Sequence, residues 1–287
     1  MKIGFADDKN KNDIYELWES VFGDSKNDID LFMEESFQNE NTLVCYDTEK
    51  LVSMLFLLPE EICFKGKAYP AYYIYAAATK PAYRKQGIMG KMLDFADGVC
   101  KNRNIPFLFL VPANDRLFDY YNKFGFRTAI YKKTIAMSYE TAKKYFTQSD
   151  FKPQFGSDVT RIAELKDEVF CNQNDSYIKW RQNEISLFQK YLISSGGKIV
   201  TSDYGYTAFL QSGSSKEIYE FCAKAENIVK LMCALSDGKE TNEFNFNLSK
   251  NFPFISDTQK FVRVGMIKQL ADIDIKASDV YIGITLS

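Results

Sequence analysis

Residues 79–93, TKPAYRKQGIMGKML, set Arg-x-x-Gly-x-x-Gly between a strand-like run and a helix-like one. Before them AYYIYAAAT (71–79) is rich in aromatic and small residues and ends at Pro81, as a strand does. After them Ile88, Met92, Leu93, Ala96, Val99 and Cys100 form an apolar stripe at helical period. A helix starting here exposes unpaired N–H groups and the positive end of its dipole, which attract phosphate oxygens. Glycine lets the backbone approach an anion with no Cβ in the way. The row Gln86, Gly87, Ile88, Met89, Gly90, Lys91 would present such amides, with Arg84 and Lys85 adding charge. No Gly-Lys-Ser/Thr closes a Walker loop, and the Gly-x-Gly-x-x-Gly of dinucleotide binding is missing. On these residues alone two readings stand, a phosphate seat or an ordinary turn into a helix.

Upstream, residues 13–22 (DIYELWESVF) carry Ile14, Leu17, Trp18 and Phe22 at helical spacing behind a candidate cap, Asp13, and a second helix is expected over 28–38. NTLVCYD and LVSMLFLL, joined by TEK, read as a hairpin, and Gly66 and Pro70 are expected to break the next segment. Downstream, IPFLFLV (105–111) is the continuous apolar run of a strand buried on both faces. NDRLFDYYNKFGF (114–126) predicts a helix with Asn114 as N-cap and Gly125 at its end. RTAIYKKTIAM (127–137) fits one strand or two. The order β-α-α-β-β-β-α-β-α-β defines an α/β chain, more closely an α+β mixed sheet covered by helices. Polar residues 141–157, with Pro153 and Gly156, read as a linker between domains at 1–140 and 158–287. The second part repeats a similar order: helices around 158–185, strands near 188, 198 and 205, EIYEFCA (217–223), a helix in ENIVKLMCAL (226–235), and strands near 243, 261 and 280.

The 287 residues fit two domains of ordinary size, and 46% hydrophobic content with 24 Phe and 18 Tyr supplies their cores. A net charge of −2 gives no basic excess to hold a nucleic acid. No apolar run nears the roughly 20 residues of a membrane helix, and MKIGFADDKNKND has no secretory apolar region. Six scattered Cys without a Cys-x-x-Cys pair suit reduced thiols in a cytoplasmic protein. There is no histidine, which removes Ser-His-Asp and Cys-His mechanisms, His-liganded zinc and the usual general base. No metal is expected.

KPAYRKQGI, followed by a buried strand and then NDRLFDYYNKFGF, resembles the GNAT acetyltransferases. Arg84, Gln86 and Gly87 match that superfamily's Arg/Gln-x-x-Gly-x-Gly/Ala signature, while Met89 stands where Gly or Ala is usual and Gly90 follows. Asn114, Tyr121, Gly125 and Phe126 match the second signature in register, with Leu117 in its Ala position. The likeness covers about residues 1–138. It implies that the phosphates are the pyrophosphate of acetyl-CoA, the co-substrate. The Gly-Ile-Met-x-x-x-Leu variant and the second, glycine-poor half look like the tandem acetyltransferases of the enhanced-intracellular-survival (Eis) type, here without their sterol-carrier-like third domain.

The resemblance implies a transfer of acetyl to a primary amine of a small molecule or peptide. In it Tyr121 is the general acid, Ala77, Ala78 and Thr79 line the pantetheine arm, and Asn114 contacts the cofactor or caps its helix. The tandem family's base, the C-terminal carboxylate, would be that of Ser287. Glu60 and Glu61 are alternative bases acting through water, or simply a solvated strand end. Trp18, Phe32, Tyr72, Tyr73 and Tyr75 are candidates for an aromatic acceptor pocket, or core. The family often assembles through its second half, which makes a homo-oligomer one of the states open to this chain. Two other readings stand beside this one: a non-catalytic CoA-binding scaffold, and a Fem-type aminoacyl transferase, which the lack of basic excess argues against.

Overall fold

The computed structural model describes residues 1–146, 154–173, 175–236, 240–254, 258–273 and 279–285. The first half follows the expected order: β1 (Lys2–Phe5), α1 (Lys11–Phe22), α2 (Lys26–Glu35), β2 (Thr42–Asp47), β3 (Lys50–Phe64), β4 (Lys67–Thr79), α3 (Ile88–Asn102), β5 (Phe107–Leu110), α4 (Asp115–Asn122) and β6 (Arg127–Ser138). Local chemistry fixes the joints. Gly23, left-handed at φ 72°, ends α1, and the Ser25 hydroxyl accepts the Asp28 N–H to cap α2. Lys65 and Gly66, both at positive φ, make the two-residue turn from β3 to β4.

Pro70 does not break β4 as expected. The β5 partner register begins only at Ala71, so among the described residues that edge of β4 asks no N–H of Pro70.

The second half comprises α5 (Tyr139–Phe146), α6 (Ile162–Gln173), β7 (Tyr177–Lys179), α7 (Gln182–Ser194), β8 (Lys198–Ser202), β9 (Gly205–Ser212), β10 (Ser215–Ala223), α8 (Ile228–Met232), β11 (Glu243–Leu248) and β12 (Lys260–Gln269). Helix α5 occupies the start of the stretch read as a linker, whose residues 147–153 lie outside the described ones. The strand expected near 188 is helix α7, because Ile185, Phe188 and Leu192 bury one helical face. The helices expected around 158–185 are α6 and the start of α7, with β7 between them. Near 280 the chain makes single bridges, not a strand.

One mixed sheet runs through both halves in the order β1-β2-β3-β4-β5-β12-β6-β11-β10-β9-β8, with β7 on the free end of β3. Strand β12 lies antiparallel to both β5 and β6, so a strand from beyond residue 157 fills a gap in the first half's sheet. That is why Phe107–Leu110 is buried throughout. Helices α3 and α4 cover one face with Leu43, Leu55, Ile74 and Leu108, while α1, α2, α6 and α7 cover the other. A third cluster packs α5 and α8 on Ile135, Phe244 and Phe246. Beyond β12 the chain returns inward. Val280 bridges to Ile130 of β6 and Tyr281 to Tyr177 of β7, so the tail joins β6 to the strand that flanks β3.

Candidate active site

Strands β4 and β5 stay in parallel register over Ala71–Tyr73 and Phe107–Phe109, then part. Beyond that point Met54 faces Ala78 while Phe56 faces Tyr75, so Ala76 and Ala77 together oppose Leu55 in a bulge. Ala76 sits at φ 45°, a left-handed angle that non-glycine residues rarely adopt without function or strong packing. The bulge withdraws main-chain groups of β4 from the ladder at the place where β4 and β5 diverge. Ala77 is half-buried and Ala78 is core. The Ser53 hydroxyl donates to the Ala78 carbonyl at 2.7 Å and lies 2.9 Å from the Thr79 hydroxyl. What this strand end can offer a passing chain is therefore backbone more than side chain.

Thr79 leads into the glycine stretch. Lys85 at φ 63° and Gly87 at φ 74° are both left-handed, with Gln86 between them. Such alternation turns successive N–H groups to one side and makes a nest for an anion. Among the described residues no hydrogen-bond partner takes the N–H of Lys85, Gln86 or Gly87. Gly87 is the N-cap of α3, and a Cβ there would meet nothing within 4 Å. The position demands the backbone angle and leaves open space in front of it. Gly90 has a different reason: a Cβ there would stand 2.8 Å from Phe124 Cε1. Arg84 Nε donates to the Thr79 carbonyl at 3.0 Å and Gln86 Nε2 to the Ala82 carbonyl at 3.2 Å, so both side chains brace the loop. Ile88 is buried, Met89 half-buried and Lys91 exposed.

Helix α4 stands beside α3 on the same face. Asn114 Oδ1 accepts the Arg116 N–H at 3.1 Å, which is the capping role. Tyr121 shares its apolar cluster with Ile88, Met92, Leu108 and Leu110, its ring edge-on to Phe126 and Tyr120. Burial, with a smaller push from Tyr120, raises its hydroxyl to about 12. Among the described residues that hydroxyl has no hydrogen-bond partner. Its neighbour across the sheet is Tyr73. Burial pushes the Tyr73 hydroxyl far up, a hydrogen bond from Thr285 opposes this, and nearby Tyr121 and Glu60 add to it.

The aromatic residues divide by strand parity. Trp18, Phe32, Phe56 and Tyr75 pack on one another with centroids 4.7–5.6 Å apart, and Tyr73 stacks on Phe109 at 5.0 Å. Tyr72 faces the other side, where it accepts from Arg103 at 2.9 Å, so it lines no pocket with the rest. Glu60 is no solvated strand end. It is 1% exposed, accepts the Arg181 N–H at 2.7 Å and adjoins the buried Glu184 of α7. Burial first, then the Glu184 charge, pushes its carboxyl well up. Glu61 is half-buried. Ser287 lies outside the described residues, and Thr285 is the nearest described residue to it. The Ala76 bulge, the Thr285 contact and Glu184 have no signal in the sequence, because each depends on a distant partner.

Residues 2–129 match the family model of the acetyltransferase (GNAT) domain. Over that stretch the chain is similar to that family, and the whole chain shares its fold with longer solved structures. A GCN5-related N-acetyltransferase from Kribbella flavida superposes with a TM-score of 0.78 at 14% identity, covering 93% of this chain and 70% of that one. A second from Anabaena variabilis gives 0.77 at 16%, covering 94% and 73%. Eis1 from Mycobacterium abscessus gives 0.72 at 11%, covering 94% and 74%, so the Eis-like likeness holds for the fold. No curated protein matches the sequence. Among the described residues no helix is long and apolar enough to cross a membrane, and no group of three metal-binding side chains occurs.

Proposed function

We propose that the protein is an acetyl-CoA-dependent N-acetyltransferase acting on a primary amine of a small molecule or peptide. The observation that carries this is the anion nest at Lys85–Gly87, opening beside the bulged, diverging end of β4. In this reading residues 84–91 seat the pyrophosphate, the backbone of Ala77–Thr79 guides the pantetheine, and Asn114 sets the helix that carries Tyr121. The first domain, 1–140, holds acetyl-CoA. The second, 158–287, completes the sheet through β12 and brings Thr285 to Tyr73.

The amine nitrogen attacks the thioester carbon, the C–S bond breaks, and Tyr121 gives its proton to the departing thiolate. The amine's surplus proton goes to a base. Where Ser287 ends the chain its carboxylate, two residues past Thr285, fills that role in keeping with the Eis resemblance. Glu60, buried and sealed against Glu184, is poorly placed to relay that proton through solvent water. That sealing also favours a second reading, a CoA-binding protein without turnover.

The test is a calorimetric titration with acetyl-CoA of wild type, Gly87→Ala and Gly87→Glu. Both variants carry the strain of a side chain at φ 74°, but only glutamate brings a charge into the open space. Binding that survives alanine within about tenfold and falls at least about a hundredfold with glutamate supports the seat. Equal binding by all three, or none by wild type, overturns it.

A further inference from the structure

The C-terminal segment reaches the site with little secondary structure of its own. Val280 and Tyr281 are held by main-chain bonds: Val280 N–H to the Ala129 carbonyl at 2.8 Å, and Tyr281 N–H to the Ser176 carbonyl at 2.8 Å. Past Tyr281 this support is replaced by side chains. Lys166 Nζ of α6 donates to the Ile282 carbonyl at 3.2 Å, and Trp180 Nε1 donates to the same carbonyl at 3.1 Å. Glu220 Oε2 of β10 accepts the Ile284 N–H at 3.1 Å. Lys166 and Glu220 are paired at 3.1 Å, 2% and 0% exposed. Gly283 lies against that carboxylate at φ 69°, where a Cβ would come within 2.1 Å of Glu220 Oε1.

A buried ion pair adds little net stability, since apolar residues of similar size often do as well in its place. Buried N–H and C=O groups of an irregular segment, in contrast, must be paired. The pair's position is explained by the two backbone groups it satisfies.

We propose that Lys166 and Glu220 are positioning residues. They grip the C-terminal segment by its backbone on either side of Gly283 and thereby set Thr285 on Tyr73, beside Tyr121. The effect on catalysis rests on the acetyltransferase reading above; the grip on the segment does not.

The experiment compares the full chain with Lys166→Met/Glu220→Leu, which removes both charges together and leaves neither uncompensated. It reads the melting temperature, acetyl-CoA affinity, kcat and KM with a polyamine as acceptor, and the rate at which carboxypeptidase releases C-terminal residues. The expected result is a protected segment in wild type. In the double variant release is at least tenfold faster and kcat at least tenfold lower, while acetyl-CoA affinity is unchanged. Lys166→Met/Glu220→Gln, which restores an acceptor for the Ile284 N–H, should recover most of the protection and of kcat. Gly283→Ala leaves both charges in place and should free the segment by collision alone, so a poorly folding double variant does not end the test.

Wild-type release as fast as that of the variants, or full protection and kcat in both the double variant and Gly283→Ala, overturns the proposal. A segment protected in wild type and freed in the variants, with neither acetyl-CoA binding nor turnover in any of them, upholds the grip and overturns the acetyltransferase reading.

Discussion

In the proposed reaction Tyr121 must still carry its proton when the thiolate leaves. An ordinary tyrosine, near pH 10, already does so at neutrality, and burial moves the hydroxyl further up, to about 12. The direction of the shift therefore argues against loss of the acid as the cause of a fall in kcat at neutral or mildly alkaline pH. A fall below neutrality would report the base or the protonated amine. Tyr121→Phe keeps the ring on Phe126 and Tyr120 and removes only the hydroxyl. Its kcat should drop by about a hundredfold to a thousandfold with acetyl-CoA affinity intact. One residue appended after Ser287 should lower kcat by a similar order if the terminal carboxylate is the base. Unchanged turnover in either variant removes that residue from the mechanism. The place of Tyr121 on a helix capped by Asn114 was legible because spacing from Asn114 to Phe126 is local information. Tyr73 was named only as a pocket or core aromatic and Thr285 not at all, because 212 positions separate them and only the fold brings them together.

The two glycines of the opening motif look equivalent in sequence and do different work in the elements they join. Gly87 supplies a left-handed turn at the start of α3, with open space before it. Gly90 lies inside α3, where its missing Cβ admits the Phe124 ring that follows α4. Gly90→Ala should therefore destabilise the protein by about 1–3 kcal/mol through overpacking, read as a lowered melting temperature. Phe124→Leu in the same chain should restore most of it. A loss of acetyl-CoA affinity with no loss of stability would instead assign Gly90 to the phosphate seat. Element type was readable where one period ran long, as in α3, whose apolar stripe spans its length. It failed at 182–194, where SLFQKYLI is short and apolar enough to suit either a strand or a helix. There the decision came from tertiary packing of Ile185, Phe188 and Leu192.

At the scale of the whole molecule, long-range insertion ties the halves together, and no local pattern announces it. The apolar run in β5 says that neighbours lie on both sides, but not that one of them is β12, some 150 residues later. The Glu60–Glu184 contact is a second such tie, joining β3 to the first turn of α7, with the Arg181 N–H turned onto the same carboxyl. Two buried carboxyls in contact disfavour double ionisation, so the pair holds on to a proton above the usual carboxylate range. Both are raised, burial first, so the folded protein holds protons that the unfolded chain has released above about pH 4.3. Their contribution to stability is thus fully present below that pH and is lost as pH rises towards the folded values. Glu60→Gln can still accept from Arg181 and donate to Glu184 without titrating. Melting curves between pH 5 and 9 should show the variant losing less stability than wild type as pH rises, with the gap widest at the alkaline end. Parallel curves would mean that the pair does not hold on to that proton, and that the halves are held there by packing and the Arg181 bond alone.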